Sequence, residues 1–342
     1  MDCPRRFSLQ LSAPSMWALS LSLGLSTLCG CGGDPSTDEG DADTEIGSGV
    51  DTTETETESS SETGTATETG TGTETETGSE DDTGEGGVAP EKLLRSDEFI
   101  NIAHRGGGAL RPEETLIAYT HALSVGAAVI EMDLHASADG VVVLMHDDTV
   151  DRTTDGSGLI RELSLEALRE LDAGYDFSPD GGETHPFRAM GVQVPTLEEV
   201  LETFPDAVYL MEIKQSEPDI VPAVLALLEA HDVGTRVVVA SFNDATIEAV
   251  RASPLDLQTA MSTGEMVAFV AAMDDPEYAP PCHFIQPPWD LCSEEFVERA
   301  HTLDLKVHPW TVNGAALMEE LIGRGVDGIM TDDPALLASV SE

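Results

Sequence analysis

From residue 99 onward, short apolar or β-branched runs alternate with stretches that repeat apolar residues at helical spacing. The runs are FINIAH (99–104), AVIEMDL (128–134), VYLMEIK (208–214), RVVVASF (236–242), LQTAMS (257–262), HFIQPPW (283–289), KVHPWTV (306–312) and DGIMTDD (327–333). Helical patterns such as TLIAYTHALSVG and ALMEELIGRG lie between them. Strand–helix alternation of this kind builds a parallel sheet, and eight strands close into a (β/α)8 TIM barrel, an α/β fold. A ninth run, VVVLMHD (141–147), follows the second after only ASADG, in which Ala138-Asp139-Gly140 is turn chemistry. So short a connection cannot cross over to a parallel neighbour, so the run must return antiparallel as a β-hairpin extension of strand two. Residues 148–196, rich in Gly and Pro, then read as an insertion after strand two, over the barrel mouth.

The chain before residue 91 has a different character. Arg5 and Arg6 precede an apolar run from Met16 to Leu28, too short for a transmembrane helix but suited to an export signal. It ends in Leu28-Cys29-Gly30-Cys31, which resembles a bacterial lipobox and makes Cys31 the expected lipidated residue, a membrane anchor. Residues 1–31 are therefore expected to be a lipoprotein signal peptide, with an exported, envelope-anchored mature protein. Residues 32–90 hold 18 acids, no bases and near-repeats of Thr, Glu and Gly, with Ile46, Val50 and Val88 as their only large apolar residues. They are expected to form a disordered acidic tether, unable to bury enough surface to offset chain entropy.

Charge then narrows the function. Sixty-five acids against sixteen bases give −49, and residues 91–342 alone carry −32. A basic face for nucleic acid is absent from such a balance, so no nucleic-acid partner is expected. Cys282 and Cys292, the only cysteines of the folded part, are candidates for a disulfide in an exported protein.

Candidate chemistry gathers at the strand ends. Side chains alternate along a strand, so Glu131 and Asp133 share one side of strand two, and Glu212 and Lys214 one side of strand three. His104 and Arg105 end strand one, and the hairpin returns His146 to the same mouth. Barrel enzymes place their sites at these C-terminal strand ends. Carboxylates buried there need compensation, which a hard divalent cation with oxygen ligands would supply.

These residues resemble a known family. His104-Arg105-Gly106 followed by Pro112-Glu113-Glu114-Thr115 is similar to the HRG…PENT start of glycerophosphodiester phosphodiesterases. The similarity continues through EMDLHASADGVVVLMHDDTVDRTTDGSG (131–158), Glu212-Ile213-Lys214, His308-Pro309-Trp310-Thr311 and the closing GIMTDDP, and covers essentially all of 99–340. The resemblance implies metal-dependent hydrolysis of glycerophosphodiesters to sn-glycerol 3-phosphate and an alcohol. It implies that Glu131, Asp133 and Glu212 hold one Ca²⁺ or Mg²⁺ and that Arg105 and Lys214 contact phosphate. His104 and His146 become the acid–base pair, acting through a cyclic phosphate. Glu113 matches an acid near the metal, either a ligand or a residue behind the ligands. Glu114 replaces the family's Asn, and a carboxylate pointing at the phosphate would weaken its binding.

Several residues admit two readings. Trp310 is either a packing aromatic at the rim or a wall for the glycerol moiety. Asp148, Arg152 and Asp155 are expected to hold their loop by local hydrogen bonds. His121, His231 and His301 read as structural, while His135 and His308 could face the mouth. A lysophospholipase D-like activity on the same barrel would require an apolar groove, for which Leu159, Ile160, Leu163, Leu168, Phe177 and Phe187 are candidates unless they form the insertion's own core. The remaining rival is a catalytically idle lipoprotein that binds phosphorylated polyols.

Overall fold

The structure, a computed structural model, describes residues 89–341. The export signal, Cys31 and nearly all of the expected tether lie outside the described residues; Pro90 opens the first helix, α1 (Pro90–Leu93).

All eight expected parallel strands are present. β1 (Ile100–Ala103), α2 (Leu116–Ser124) and β2 (Val129–Ala136) lead into the short β3 (Val142–Leu144). After α3 (Leu165–Arg169) and α4 (Leu197–Thr203) come β4 (Tyr209–Ile213), α5 (Val221–Ala230), β5 (Val237–Ala240), α6 (Asp244–Arg251) and β6 (Gln258–Thr259). The chain ends with α7 (Thr263–Ala271), β7 (Phe284–Ile285), α8 (Glu294–Thr302), β8 (Lys306–Val307), α9 (Ala315–Gly323), β9 (Gly328–Thr331) and α10 (Pro334–Ser341).

Parallel pairing runs β6-β5-β4-β2-β1-β9, and β7 pairs with β8. Two seams complete the ring. On one side Ala260 bridges Phe284, and the Met261 amide donates to the Phe284 carbonyl at 2.9 Å. On the other, the amides of Asp327 and Met330 donate to the carbonyls of Val307 and Pro309, both at 3.0 Å. The last strands are much shorter than their apolar runs. Pro287, Pro288 and Pro309 have no N–H to extend the ladder, so pairing there continues only through their carbonyls and single bridges.

The ninth run folds back as expected: β3 pairs antiparallel with β2, Leu134 opposite Leu144 and Ala136 opposite Val142. The Ser137 amide donates to the Val141 carbonyl at 3.0 Å, and Gly140 takes φ +83°. After the insertion the chain rejoins this hairpin where Thr196 bridges Val143; Thr196 and Glu199 then cap α4 reciprocally.

The barrel lumen is filled by Ile100, Ile102, Val129, Leu210, Val238 and Phe284, with others, while two larger clusters lie between strands and helices. The insertion has its own core. Ile160 and Leu168 are buried with Val143, Met145, Val150 and Val194, and Leu163 and Phe187 pack against them. Phe177 meets Phe187 edge-to-face at 5.5 Å. Ile160, Leu163, Leu168 and Phe187 therefore pack into the insertion's own core, while Phe177 borders a small cavity with Gly108, Pro112 and Glu113. The expected disulfide is absent as well: Cys282 and Cys292 are free thiols, and Cys292 is packed in the cluster outside β7 and β8. Burial pushes the Cys292 thiol up to about 12, which suppresses the reactive thiolate.

Two thiols follow from this. Alkylation of unreduced, denatured protein should modify the peptides carrying Cys282 and Cys292 in full, whereas native protein should leave Cys292 almost unlabelled. A disulfide-linked peptide pair in the mass spectrum would contradict the structure.

Candidate active site

β1 ends in a tight turn, His104–Gly106, that aims two side chains into the mouth and binds β2 through its backbone. Arg105 takes φ +53° and its amide donates to Glu131 Oε2 at 2.7 Å. Gly106 follows at φ +77°, where a Cβ would come within 2.9 Å of both Ala118 and Tyr119 on α2; only glycine fits that approach. The Arg105 carbonyl then accepts from the amide of Glu114, itself left-handed at φ +58°. Two non-glycine residues in this region are held by the surrounding contacts, as is usual for strained segments beside a site.

β2 is buried along its whole length, so Glu131 (3% exposed) and Asp133 (1% exposed) present carboxylates inside the protein. Burial, reinforced by the Asp133 charge, pushes Glu131 up to about 8. Asp133 has both carboxylate oxygens buried without a hydrogen-bond partner, although Lys214 Nζ lies 3.2 Å away and Arg105 Nε 3.5 Å away. Among the described residues, the acids that bring ligand oxygens within 4.8 Å of one another are Glu114, Glu131 and Asp133. Buried oxygens without hydrogen bonds and a hard, all-carboxylate donor set fit a divalent cation, so this cluster is a candidate metal site, with Glu114 behind Glu131 and Asp133.

The other acids divide differently from the sequence expectation. Glu212 pairs in register with Asp133, but its Oε1 lies 2.9 Å from Lys214 Nζ, and it lines the cavity instead of joining the close cluster. Glu113 is held by the two Nη groups of Arg152, at 2.8 and 2.6 Å, and by Arg105 Nη1 at 3.2 Å. Both Glu113 oxygens are taken by arginines, which ties Arg105 to Arg152.

Glu114 does not line the cavity. It is 2% exposed and accepts from the Asp133 amide at 3.0 Å and from the Tyr119 hydroxyl. Burial first, and the Asp133 charge second, raise it well above the carboxylate range. Its carboxyl braces the turn, β2 and α2 instead of confronting phosphate.

The two expected acid–base histidines border one cavity of about 210 Å³. His104 Nδ1 is 2.6 Å from Asp332 Oδ1, and Asp332 is fixed in turn by Asn313 Nδ2 at 2.6 Å. Burial opposes the imidazolium, but the Asp332 hydrogen bond and the Glu131 charge outweigh it and raise His104 above 6.5. His146 Nδ1 is 2.8 Å from Asp147 Oδ1, yet burial dominates there and leaves it below 6.5. Arg105, Lys214 and Glu212 line the same cavity.

The opposite wall is apolar. Trp310 donates its Nε1 to the Gln286 carbonyl at 2.7 Å and meets Phe242 edge-to-face at 5.8 Å. Both border the cavity with Met261, Met266 and Met330, so Trp310 is a wall as well as a packing residue. His308 is sealed in the lumen beside Phe284, pushed down to about 4 by burial, and does not reach the cavity; nor does His135. Asp147, Asp332 and Phe242 were not singled out from sequence. Asp332 carried a usable signal, an acid just beyond the last strand and hence beside the first.

A parallel barrel with two anchored imidazoles and two cations around one cavity, and a buried acid cluster beside it, suits a phosphoric diester hydrolase. The model of the glycerophosphoryl diester phosphodiesterase family matches residues 104–336, and the chain belongs to that family. It is 33% identical over 246 residues to a glycerophosphodiester phosphodiesterase of Caldanaerobacter subterraneus subsp. tengcongensis, covering 70% of this chain and 96% of the relative. A Bacillus subtilis glycerophosphodiester phosphodiesterase is 32% identical over 263 residues, covering 73% and 89%. Among solved structures, an Oleispira antarctica phosphodiesterase in complex with the product sn-glycerol 3-phosphate superposes with a TM-score of 0.59 at 25% identity, covering 70% of this chain and 95% of that one.

The bracing role of Glu114 has a measurable consequence. Glu114→Gln retains an acceptor for the Asp133 amide and a partner for Tyr119, so thermal stability should change little. Glu114→Ala strands both groups and should destabilise by about 1–3 kcal/mol in denaturant titration. Equal effects of the two substitutions would contradict the bracing role.

Proposed function

We infer that the protein hydrolyses glycerophosphodiesters to sn-glycerol 3-phosphate and an alcohol, with His146 as general base and His104 as general acid. The observation that carries the reading is geometric: two imidazoles border one cavity with Arg105 and Lys214, each held at Nδ1 by a carboxylate, Asp332 for His104 and Asp147 for His146. His104 favours its proton because Asp332 and Glu131 outweigh burial, while His146 is left ready to accept one.

The chain's groups act as follows. Arg105 and Lys214 take the non-bridging phosphate oxygens and orient the diester. His146, its Nδ1–H donated to Asp147, accepts at Nε2 the proton of the glycerol 2-hydroxyl as that oxygen attacks phosphorus. His104, with Nδ1 on Asp332, gives the Nε2 proton to the leaving alcohol. Water then opens the cyclic phosphate with the two roles exchanged. A divalent cation, Ca²⁺ or Mg²⁺, held by Glu131 and Asp133 with Glu212 alongside, would neutralise phosphate charge when bound. The apolar wall of Phe242 and Trp310 suits the carbon face of the glycerol moiety.

The convergence of these groups favours an enzyme over an idle binding protein. No helix among the described residues is long and apolar enough to cross a membrane. We further propose, from the Leu28-Cys29-Gly30-Cys31 pattern, that the mature protein is lipid-anchored at Cys31 in the cell envelope. Cys31→Ser should then abolish incorporation of a fatty-acyl label; undiminished labelling would remove the anchor.

The hydrolytic reading is tested with glycerophosphocholine, glycerophosphoethanolamine and lysophosphatidylcholine, each with and without chelator. The first two should be cleaved and chelation should abolish turnover; full activity after exhaustive chelation would remove the metal. His104→Ala and His146→Ala should each lower kcat by roughly 10²–10⁴. The pH profile should be bell-shaped. Activity should fall as pH drops through the lowered His146 value and as pH rises through the raised His104 value, so the plateau spans 6.5. Limbs that respond in the reverse sense to the two histidine substitutions would exchange the roles.

A further inference from the structure

Arg152 stands at the start of the insertion, in a turn-rich segment where the sequence suggests only local loop bonding. Its side chain is 46% exposed, yet each of its three nitrogens is engaged. Nε donates to Asp147 Oδ2 at 2.6 Å, while the Nη pair forks onto the two oxygens of Glu113 at 2.8 and 2.6 Å. Beyond Asp147, at 2.8 Å, is His146; beyond Glu113, at 3.2 Å, is Arg105. The result is one chain of charged contacts, His146–Asp147–Arg152–Glu113–Arg105. It joins the hairpin to the turn after β1, two segments that carry different parts of the chemistry.

We propose that Arg152 is a positioning residue that aligns the His146 imidazole and the phosphate-facing Arg105 guanidinium with each other, through Asp147 and Glu113. The proposal rests on the roles inferred above for His146 and Arg105. The guanidinium suits this task because its rigid planar fork serves two carboxylates at once. An ammonium on the same site is a point charge and would satisfy one carboxylate at the expense of the other.

Two opposite consequences separate this role from simple loop closure. Without Arg152, Asp147 keeps its full charge for His146. The remaining groups that face His146 are Asp133 from β2, which favours its proton, and Arg105 and Lys214, which oppose it. Asp133 and Lys214 stay in place, and a displaced Arg105 opposes the proton less, so the proton affinity of His146 rises and the acidic limb of the pH profile moves up. At the other end, Glu113 has only Arg105 left to pair with and draws that guanidinium away from phosphate. The substrate is then held less well, and KM rises.

The test uses the metal-loaded full chain, glycerophosphocholine as substrate and an NMR titration of the His146 imidazole that needs no turnover. Arg152→Ala should raise KM about tenfold, equivalent to roughly 1.4 kcal/mol. It should also move the His146 titration and the acidic limb up by about half a pH unit, a several-fold change in proton affinity. In an Asp147→Asn background the same substitution should move the titration by clearly less, while its effect on KM persists. If Arg152→Ala folds poorly, Arg152→Lys supplies the same readouts at smaller amplitude. A uniform fall in kcat with KM and the titration unmoved, or a titration shift undiminished in Asp147→Asn, would overturn the proposal. Failure of the wild-type chain to cleave glycerophosphocholine would instead count against the substrate reading, leaving the NMR comparison to judge Arg152.

Discussion

Two carboxylates at the end of one fully buried strand impose the constraint around which the site is organised. The two-residue period of β2 puts Glu131 and Asp133 on the same side of a strand buried along its length between neighbours β1 and β4. Taking such charges out of solvent costs several kcal/mol apiece unless they are paired. The surrounding features answer that cost. The Arg105 amide reaches Glu131, Lys214 stands between Asp133 and Glu212, and Glu114 favours its uncharged form. Asp133 nevertheless keeps two oxygens without hydrogen bonds, a deficit of the kind that a bound cation removes. Burial is thus the reason a strongly acidic protein can gather a phosphate ester: its critical acids are arranged to hold positive charge.

The fold was legible wherever hydrophobic pattern and turn chemistry agreed. Alternating runs identified every barrel strand, and the short ASADG connection required the antiparallel return that carries His146 to the mouth. Ladder length was not legible from apolarity, because the prolines in HFIQPPW and KVHPWTV remove donors from segments that otherwise look like strands. The pairing of Cys282 and Cys292 was not legible, because ten residues of sequence separation say nothing about where Cβ vectors point.

Within the site, residue types at strand ends were readable, but partnerships were not. Asp332 meets His104 across the β1–β9 ladder, a contact readable only once the last strand is placed beside the first. Glu113 and Glu114 are adjacent in sequence and do unlike things. One faces two arginines at the mouth, while the other turns beneath β2 to meet a backbone amide and a tyrosine. The left-handed conformation at Glu114 separates them, and backbone handedness at a non-glycine residue is not written in composition. Arg152 was underestimated for the same reason, since the carboxylate that makes its fork useful belongs to a different segment.

Barrel topology also explains why the cavity has two characters. The charged groups come from β1, β2, β4 and the hairpin, which neighbour one another in the sheet. Phe242, Met261 and Trp310 follow β5, β6 and β8 across the mouth. A glycerophosphodiester has the same division, a doubly bridged anion beside a short carbon skeleton, so phosphate and glycerol can be oriented by opposite sectors of one ring. Early in the insertion, Arg152 contacts Asp147 and Glu113 behind the polar sector. The two sectors also separate what can vary. A change along the apolar wall alters which alcohol or glycerol substituent fits, while the charged sector can retain its acid–base geometry. That separation is one physical route by which a single barrel can accept different diesters without rebuilding its chemistry.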